Sequence, residues 1–323
     1  MRESIFSFWQ DADFNALADE APVAGEEGLR PAPAGGGEET WIFETFTAHP
    51  YHLRVSFTAN TPAGPGSLLR VTWYGDGGTV QETRSGPEAA ADDQGNGGLS
   101  VGPNKVRFEA GKYLLSLNTA NLAGELEWEP LVPGWQPGAG RLSFGDQGRL
   151  QFFWRVPVPR AAVRGRITVN GKEYTLEGLG YHDYRRCNFP LGQALSEICL
   201  ARLYHEGYTL LFARFKGNLL YSGKDVAALY LAGEEGTVLS TPHVETSPAG
   251  HGSSPPGEVR ATARPPVDLL LDPPLNRWQE ELKGRLFAGA LRMWSASGRL
   301  RLADDPEREV RVRGWIENLT IAG

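Results

Sequence analysis

The stretch Ile167-Thr168-Val169-Asn170-Gly171-Lys172-Glu173-Tyr174-Thr175-Leu176 decides the fold class. Apolar Ile167 and Val169 on one side, and Tyr174 and Leu176 on the other, alternate with polar neighbours. That period of two is the pattern of a strand buried on one face. The Asn-Gly pair between them tolerates the positive φ angles of a type I′ turn, whose twist matches the strands it joins. A β-hairpin is predicted here, and its style repeats in both directions along the chain.

Upstream, Leu53, Val55 and Phe57 alternate with Arg54, Ser56 and Thr58. Val71 and Trp73 run into the turn Gly75-Asp76-Gly77-Gly78, and Val106 and Phe108 lead through Gly111 into Tyr113, Leu115 and Leu117. Downstream, Ile198–Leu203 passes through Tyr204-His205-Glu206-Gly207 into Tyr208, Leu210 and Phe212. Leu219–Tyr221, Ala227–Leu231 and Leu269–Leu271 are further short strand candidates, and Val310, Val312 and Ile316 close the chain. Helical signals are confined to Phe14–Ala21 and to Asn276–Lys283 after Pro273-Pro274. Ala21–Glu39, Gly86–Gly98 and Thr246–Glu258 are rich in Gly, Pro and acids and read as mobile loops. Many short strands between Gly and Pro turns, with no short repeat, predict an all-β chain of barrels or sandwiches. A length of 323 residues implies two domains. The predicted break at Cys187–Pro190 gives domains 1–187 and 188–323.

Net charge −7 excludes the clustered basic surface that nucleic acid requires, since Lys and Arg are scattered singly on strand-like segments. Two cysteines, Cys187 and Cys199, are too few for a disulfide framework and read as a reduced pair. The start, Met1-Arg2-Glu3-Ser4-Ile5-Phe6, has no apolar leader run, and nowhere do the ~20 apolar residues of a membrane span occur. A cytoplasmic protein is expected, with transient membrane-surface contact if its substrate is apolar. Nine Trp within 10% aromatics suffice to line a ligand cavity as well as to fill a core.

Phosphate-loop, Gly-x-Ser-x-Gly and His-Glu-x-x-His signatures are absent. His49 and His52 would face opposite sides of a strand and have no apparent third ligand, so no metal site is expected. The distinctive run is Gly178-Leu179-Gly180-Tyr181-His182-Asp183-Tyr184-Arg185-Arg186. Its glycines read as a strand end, which puts an imidazole and a carboxylate where the backbone turns. Two uses are open at this point. An Asp in an apolar cavity would have its pKa raised and could give a proton, although an adjacent Arg acts against that. Alternatively, His182 and Asp183 belong to a buried polar network that pins two domains together. Arg202 and Glu317 suit an inter-strand ion pair, and Trp73, Trp154, Trp278 and Trp294 suit either core or cavity wall.

Four blocks resemble the carotenoid 1,2-hydratase (hydroxyneurosporene synthase) family and its relatives, the lipocalin-like Diels–Alderases. Glu39-Thr40-Trp41-Ile42-Phe43 resembles that family's early aromatic strand. Val163-Arg164-Gly165-Arg166-Ile167, followed by Gly178–Asp183, resembles its central signature. Leu200-Ala201-Arg202 with Tyr208-Thr209-Leu210, and Gly314-Trp315-Ile316-Glu317, resemble later strands. The chain departs from the pattern after Asp183, where Tyr184, Arg185, Arg186 and Cys187 replace His-Asn-Trp-Gly, and at Thr40 and Ile42 in the early strand.

The resemblance implies two lipocalin-like (calycin-type) antiparallel barrels packed side by side, a cavity for a long apolar molecule and no cofactor. It carries Trp41, His182 and Asp183 over as family-type positions. Tyr184 and Arg185 join them as catalytic candidates by adjacency, and Trp41, Phe43 and Tyr181 are expected to bind substrate. Intramolecular cyclisation of a polyene or isoprenoid is the expected reaction, because a shaped dry pocket asks less of single residues than hydration does. In it Tyr184 or Arg185 could polarise a substrate carbonyl. Hydration of a C=C bond is the alternative, with Asp183 as acid, Trp41 as a cation-stabilising face and His182 as base or orienting partner. Binding without catalysis is the third.

Overall fold

The hairpin at Asn170-Gly171 forms as its residues require, with φ of 49° and 79° at the two turn positions. It joins the two longest strands of the N-terminal half, and the rest of that half is built outward from them. A computed structural model describes residues 9–10, 21–27, 37–47, 51–59, 66–76, 78–86, 90–91, 98–248, 256–261, 266–272, 275–283, 288–302 and 305–322.

In chain order the strands are β1 (Trp9–Gln10), β2 (Glu38–Thr47), β3 (His52–Ala59), β4 (Ser67–Gly75), β5 (Gly78–Gly86), β6 (Ala90–Ala91), β7 (Leu99–Val101), β8 (Asn104–Glu109), β9 (Lys112–Asn118), β10 (Leu122–Pro130), β11 (Arg141–Phe144), β12 (Leu150–Val169) and β13 (Lys172–Cys187). They continue as β14 (Leu195–His205), β15 (Tyr208–Gly217), β16 (Asp225–Gly233), β17 (Gly236–Thr241), β18 (Val244–Pro248), β19 (Pro256–Ala261), β20 (Val267–Leu271), β21 (Leu275–Lys283), β22 (Ala288–Leu302) and β23 (Asp305–Ala322). Helical structure among the described residues is limited to the 3-10 turns Asp146–Gly148, Leu191–Gln193 and Leu219–Tyr221. The chain is all-β, and no helix among the described residues is long and apolar enough to cross a membrane.

The strands divide into two compact units. One comprises Glu20–Gln136 and Phe152–Phe189; the other comprises Pro137–Gln151 and Pro190–Gly323 together with the N-terminal segment that carries β1. In the first unit the antiparallel order is β5-β4-β3-β2-β13-β12-β10-β9-β8-β7-β6. Phe43, Phe57, Val71, Val106, Leu115 and Trp128, from strands spread across that order, meet in one buried cluster. A sheet whose distant strands share one core has rolled into a barrel. In the second unit the order is β17-β16-β15-β14-β23-β22-β20-β19-β18, with β21 paired to β22. Leu203, Leu229, Val259, Leu269, Leu300 and Val312 fill its interior in the same way. These are the two lipocalin-like barrels expected from the sequence.

Arg202 and Glu317 form the expected ion pair, Nη2 to Oε2 at 2.7 Å, between neighbouring β14 and β23 with both side chains buried. Cys187 and Cys199 are free and buried. Burial pushes both thiols up, Cys199 to about 12, which leaves them unreactive. Trp73 and Trp294 are buried in the two cores. Among the described residues no three His, Cys, Asp or Glu side chains are grouped as a metal site would need.

Four local expectations are corrected. Asn276–Lys283 is not a helix but lies within β21, registered against Ala288–Ser295 of β22. Its helix-forming Glu and Leu residues yield to the open edge of a long strand. Leu219–Tyr221 is a 3-10 turn, not a strand; Asn218 caps it by accepting from the Leu220 N–H at 3.0 Å, and Leu219 is 91% exposed. Strand β18 and the start of β19 claim both ends of the supposed loop Thr246–Glu258, and Ala90–Ala91 forms a short strand within Gly86–Gly98. Apart from Ala21, the expected helix Phe14–Ala21 lies outside the described residues, as does His49. His52 is buried and stacked on Phe46.

Gly180 of β13 shows how tightly the first barrel closes. A Cβ there would stand 2.4 Å from Trp128 Cδ1 and from Val163 Cγ2. Gly180→Ala is therefore expected to lower stability by about 1–3 kcal/mol, read from denaturant unfolding; an unchanged midpoint would mean that the interior yields more easily than its contacts indicate.

Candidate functional site

The run Tyr181–Arg185 does not sit at a turn. Strand β13 continues unbroken to Cys187, paired with β2 from Gly178↔Thr47 through Cys187↔Glu38. In an extended strand successive side chains point to opposite faces. His182 and Tyr184, opposite Phe43 and Trp41, look into the first barrel; Tyr181, Asp183 and Arg185 look the other way. The sequence joined His182 and Asp183 in one group, and the structure separates them.

On the outer face, Asp183 is fully buried and surrounded by donors. Its Oδ2 accepts from Tyr181 Oη at 2.9 Å, from Trp154 Nε1 at 3.1 Å and from Arg185 Nη2 at 2.9 Å. Arg185 Nε stands 3.2 Å from both carboxylate oxygens. Trp154 comes from β12, where it lies opposite Arg185, and is itself held edge-on by Trp135. Glu44, opposite Tyr181 on β2, is paired with Arg54 on the same face. Asp183 is thus one member of a buried polar network.

The inner face is different. The imidazole of His182 stacks on Phe43, ring centroids 4.0 Å apart and planes within 3°, and meets the edge of Tyr113 at 4.9 Å. Its Nδ1 lies 3.0 Å from the carbonyl oxygen of Ile42, and its Nε2 lies 3.0 Å from Glu27 Oε1. Tyr184 leans on Trp41, with ring centroids 5.4 Å apart.

Glu27 enters from the segment Ala21–Glu27. Gly25, at φ 86°, passes beneath Phe108 so closely that a Cβ would stand 2.2 Å from the ring. The Gly25 N–H donates to Tyr113 Oη at 2.7 Å, and Trp41 Nε1 donates to the Glu27 carbonyl at 2.7 Å. The Tyr113 hydroxyl in turn donates to Glu27 Oε1. Burial, and then the charge of Glu27, hold the Tyr113 phenol well above its ordinary pKa, so it remains a donor.

Counting protons fixes what this group holds. The Ile42 carbonyl can only accept, so Nδ1 carries a hydrogen. A further proton must lie between Nε2 and Glu27 Oε1, as an imidazolium facing a carboxylate or an imidazole facing a carboxylic acid. Glu27 Oε2 is buried with no hydrogen-bond partner among the described residues. The inner group thus holds one shared proton and one unused oxygen, packed among the aromatic rings of Trp41, Phe43 and Tyr113.

Of the sequence candidates, Trp41, Phe43, His182 and Tyr184 gather at the inner group, and Tyr181, Asp183 and Arg185 at the outer one. Glu27, Tyr113 and Trp154 were not singled out as site residues. Tyr113 carried only a strand pattern, and Trp154 suited core or cavity wall without distinction. Glu27 lay in a Gly/Pro/acid stretch with no local signal of burial.

No protein-family model and no curated protein matches the chain. Solved structures do. CghA in complex with Sch210972 is 13% identical with a TM-score of 0.67, over 98% of both chains. An AttH-like protein of Nitrosomonas europaea is 17% identical with a TM-score of 0.62, over 93% of this chain and 98% of the other. Kievitone hydratase of Nectria haematococca is 14% identical with a TM-score of 0.58, over 95% and 98%. The likeness is one of fold, spans both barrels, and agrees with the lipocalin-like resemblance drawn from the sequence.

Removing Asp183 leaves the Arg185 charge without its buried partner. Asp183→Ala is expected to lower stability by about 3–5 kcal/mol, measured by urea unfolding; a loss below about 1 kcal/mol would show that Asp183 is not what ties β12 to β13.

Proposed function

We propose that this protein is an enzyme that encloses a bulky apolar polyene or isoprenoid and promotes its intramolecular cyclisation without a cofactor, with Glu27 and His182 as the proton-exchanging pair. The observation that supports this reading is Glu27 Oε2, a buried carboxyl oxygen without a hydrogen-bond partner among the described residues, while its twin is held by Tyr113 and His182. A buried acceptor left unmade costs stability, and a substrate O–H or activated C–H would complete it.

In this scheme Oε2 takes that proton, and the imidazolium at Oε1 offsets the charge that passes through the carboxylate. Phe43 and the other aromatic side chains around this pair would hold the chain of the substrate folded so that its reacting carbons approach. Once the ring has closed, the proton returns from Oε2, so substrate and product have equal mass. Asp183 has no step in it. Its part is to hold β13 in register through Trp154 and Arg185.

Hydration is the second reading, favoured by the rings of Phe43 and Tyr113 beside the shared proton, because a cation formed at a protonated C=C bond needs such faces. There Oε2 would take its proton from the attacking water. Kievitone hydratase, by its name, shows that a chain of this fold can be a hydratase.

Mass spectrometry of an apolar extract from the source cells, incubated with and without the purified protein, separates the readings. A product of equal mass and new retention supports cyclisation, and one heavier by a water supports hydration. Glu27→Gln keeps the acceptor for Tyr113 and is expected to reduce turnover by about 100-fold or more while the protein stays folded. Unchanged turnover would remove Glu27 from the chemistry, and a compound that co-purifies without turning over would leave only binding.

A further inference from the structure

The connection between β15 and β16 in the second unit presents two leucines to solvent. Leu219 is 91% exposed and Leu220 58%, side by side in one 3-10 turn. The other exposed large apolar side chains among the described residues, Val23, Leu131, Val238 and Leu270, stand singly and are at most 56% exposed. A single exposed leucine is ordinary on a protein surface. An adjacent pair at the apex of a turn is a concentrated apolar feature that calls for a partner.

The apex is tied down on all sides of the leucines. The Asn218 N–H donates to the Ala194 carbonyl and its Nδ2 to the Gly192 carbonyl, both at 2.8 Å, while its Oδ1 accepts from the Leu220 N–H. The Asn218 carbonyl accepts from the N–H groups of Tyr221 and Gly223, each at 3.0 Å. Tyr221 is buried and meets Phe144 edge-on, with ring centroids 5.3 Å apart. Ser222 ends the turn in the left-handed region at φ 59°, an unfavourable setting for a residue with a side chain. A slack loop would fold its leucines back onto the protein, and this one is fixed so that they project. Lys216 and Lys224 flank the turn and are exposed, and Asp225 is the one acid between residues 216 and 225. Beyond Phe144, Asp146 and Arg149 offset each other at 3.9 Å.

We propose that this apex docks the protein on an anionic lipid bilayer, with Leu219 and Leu220 entering the boundary between headgroups and acyl chains and Lys216 and Lys224 at the phosphates. Size and charge select this partner. A stable protein interface takes roughly 800 Å² from each side, far more than two leucines present. A bilayer asks only for a projecting apolar tip with cations behind it. Two lysines against one carboxylate make the stretch locally cationic on a chain of net charge −7, which confines the contact to the tip and keeps it transient. The apex lies in the other unit from Glu27, and docking does not depend on the proposed reaction. It would bring the protein to the phase in which an apolar substrate dissolves.

The test is co-sedimentation of the full-length protein with sucrose-loaded vesicles of phosphatidylcholine containing about 30% phosphatidylglycerol, with pure phosphatidylcholine vesicles for comparison. The protein is expected to partition onto the anionic vesicles, and at least fivefold more weakly onto the neutral ones. Leu219→Ser combined with Leu220→Ser should reduce that partitioning by tenfold or more with Tm unchanged, because both side chains are already in water. Lys216→Gln should reduce it by about fivefold. Absence of vesicle binding, equal binding to both vesicle types, or unaltered partitioning in either variant would each overturn the proposal. A fall in Tm in the double leucine variant would do the same, since the leucines would then be serving the fold. So would self-association in sedimentation velocity that the double variant abolishes, with no vesicle binding, because the tip would then meet a second copy of the chain.

Discussion

The two-residue pleat of β13 is the constraint on which the rest of the first barrel depends. It assigns His182 and Asp183, neighbours in sequence, to opposite faces of one sheet. Each face then acquires its own chemistry. Asp183 meets tyrosine, tryptophan and arginine donors and becomes a saturated acceptor that ties β12 to β13. His182 meets a carbonyl, a carboxylate and two aromatic rings, which leaves it sharing a proton. A slip of one residue in the register of β13 would exchange these roles and expose both groups to the wrong surroundings.

The two polar groups also differ in how completely their hydrogen bonds are made. In a low-dielectric interior a satisfied network rigidifies, and a missing partner is costly. The outer group follows the first course. The inner group keeps Glu27 Oε2 unmade, and the second barrel does the same with Asn318.

Much of the fold was legible because hairpins are local. Asn170-Gly171, the glycine turn at Gly111 and the Glu206-Gly207 turn each announce a strand pair within a few residues. The misreadings came where a distant edge decides: Asn276–Lys283 has helical composition but completes β22. The glycines of the central run misled for a related reason. Gly178 and Gly180 look like breakers, yet they sit mid-strand because a Cβ would collide with the Phe46 carbonyl at one and with Trp128 at the other. Ending the strand there hid the alternation that parts His182 from Asp183. His182 itself stood out from its motif. Its partner Glu27 did not, since nothing near residue 27 indicates a contact 155 positions away.

That separation bears on how the protein is made. Strand β2 is paired to β13, the last strand of the first sheet to be synthesised. Glu27 therefore leaves the ribosome 155 residues ahead of the imidazole it must meet. At about 5–20 residues per second that is a delay of roughly 8–30 s. Through that interval the inward face of β2, with Trp41 and Phe43, lacks the neighbour that covers it in the finished barrel. Such high contact order makes closure slow and leaves the nascent chain in need of protection from aggregation. It also keeps the shared proton from existing until the barrel has shut, so a half-made chain carries none of the finished site's chemistry.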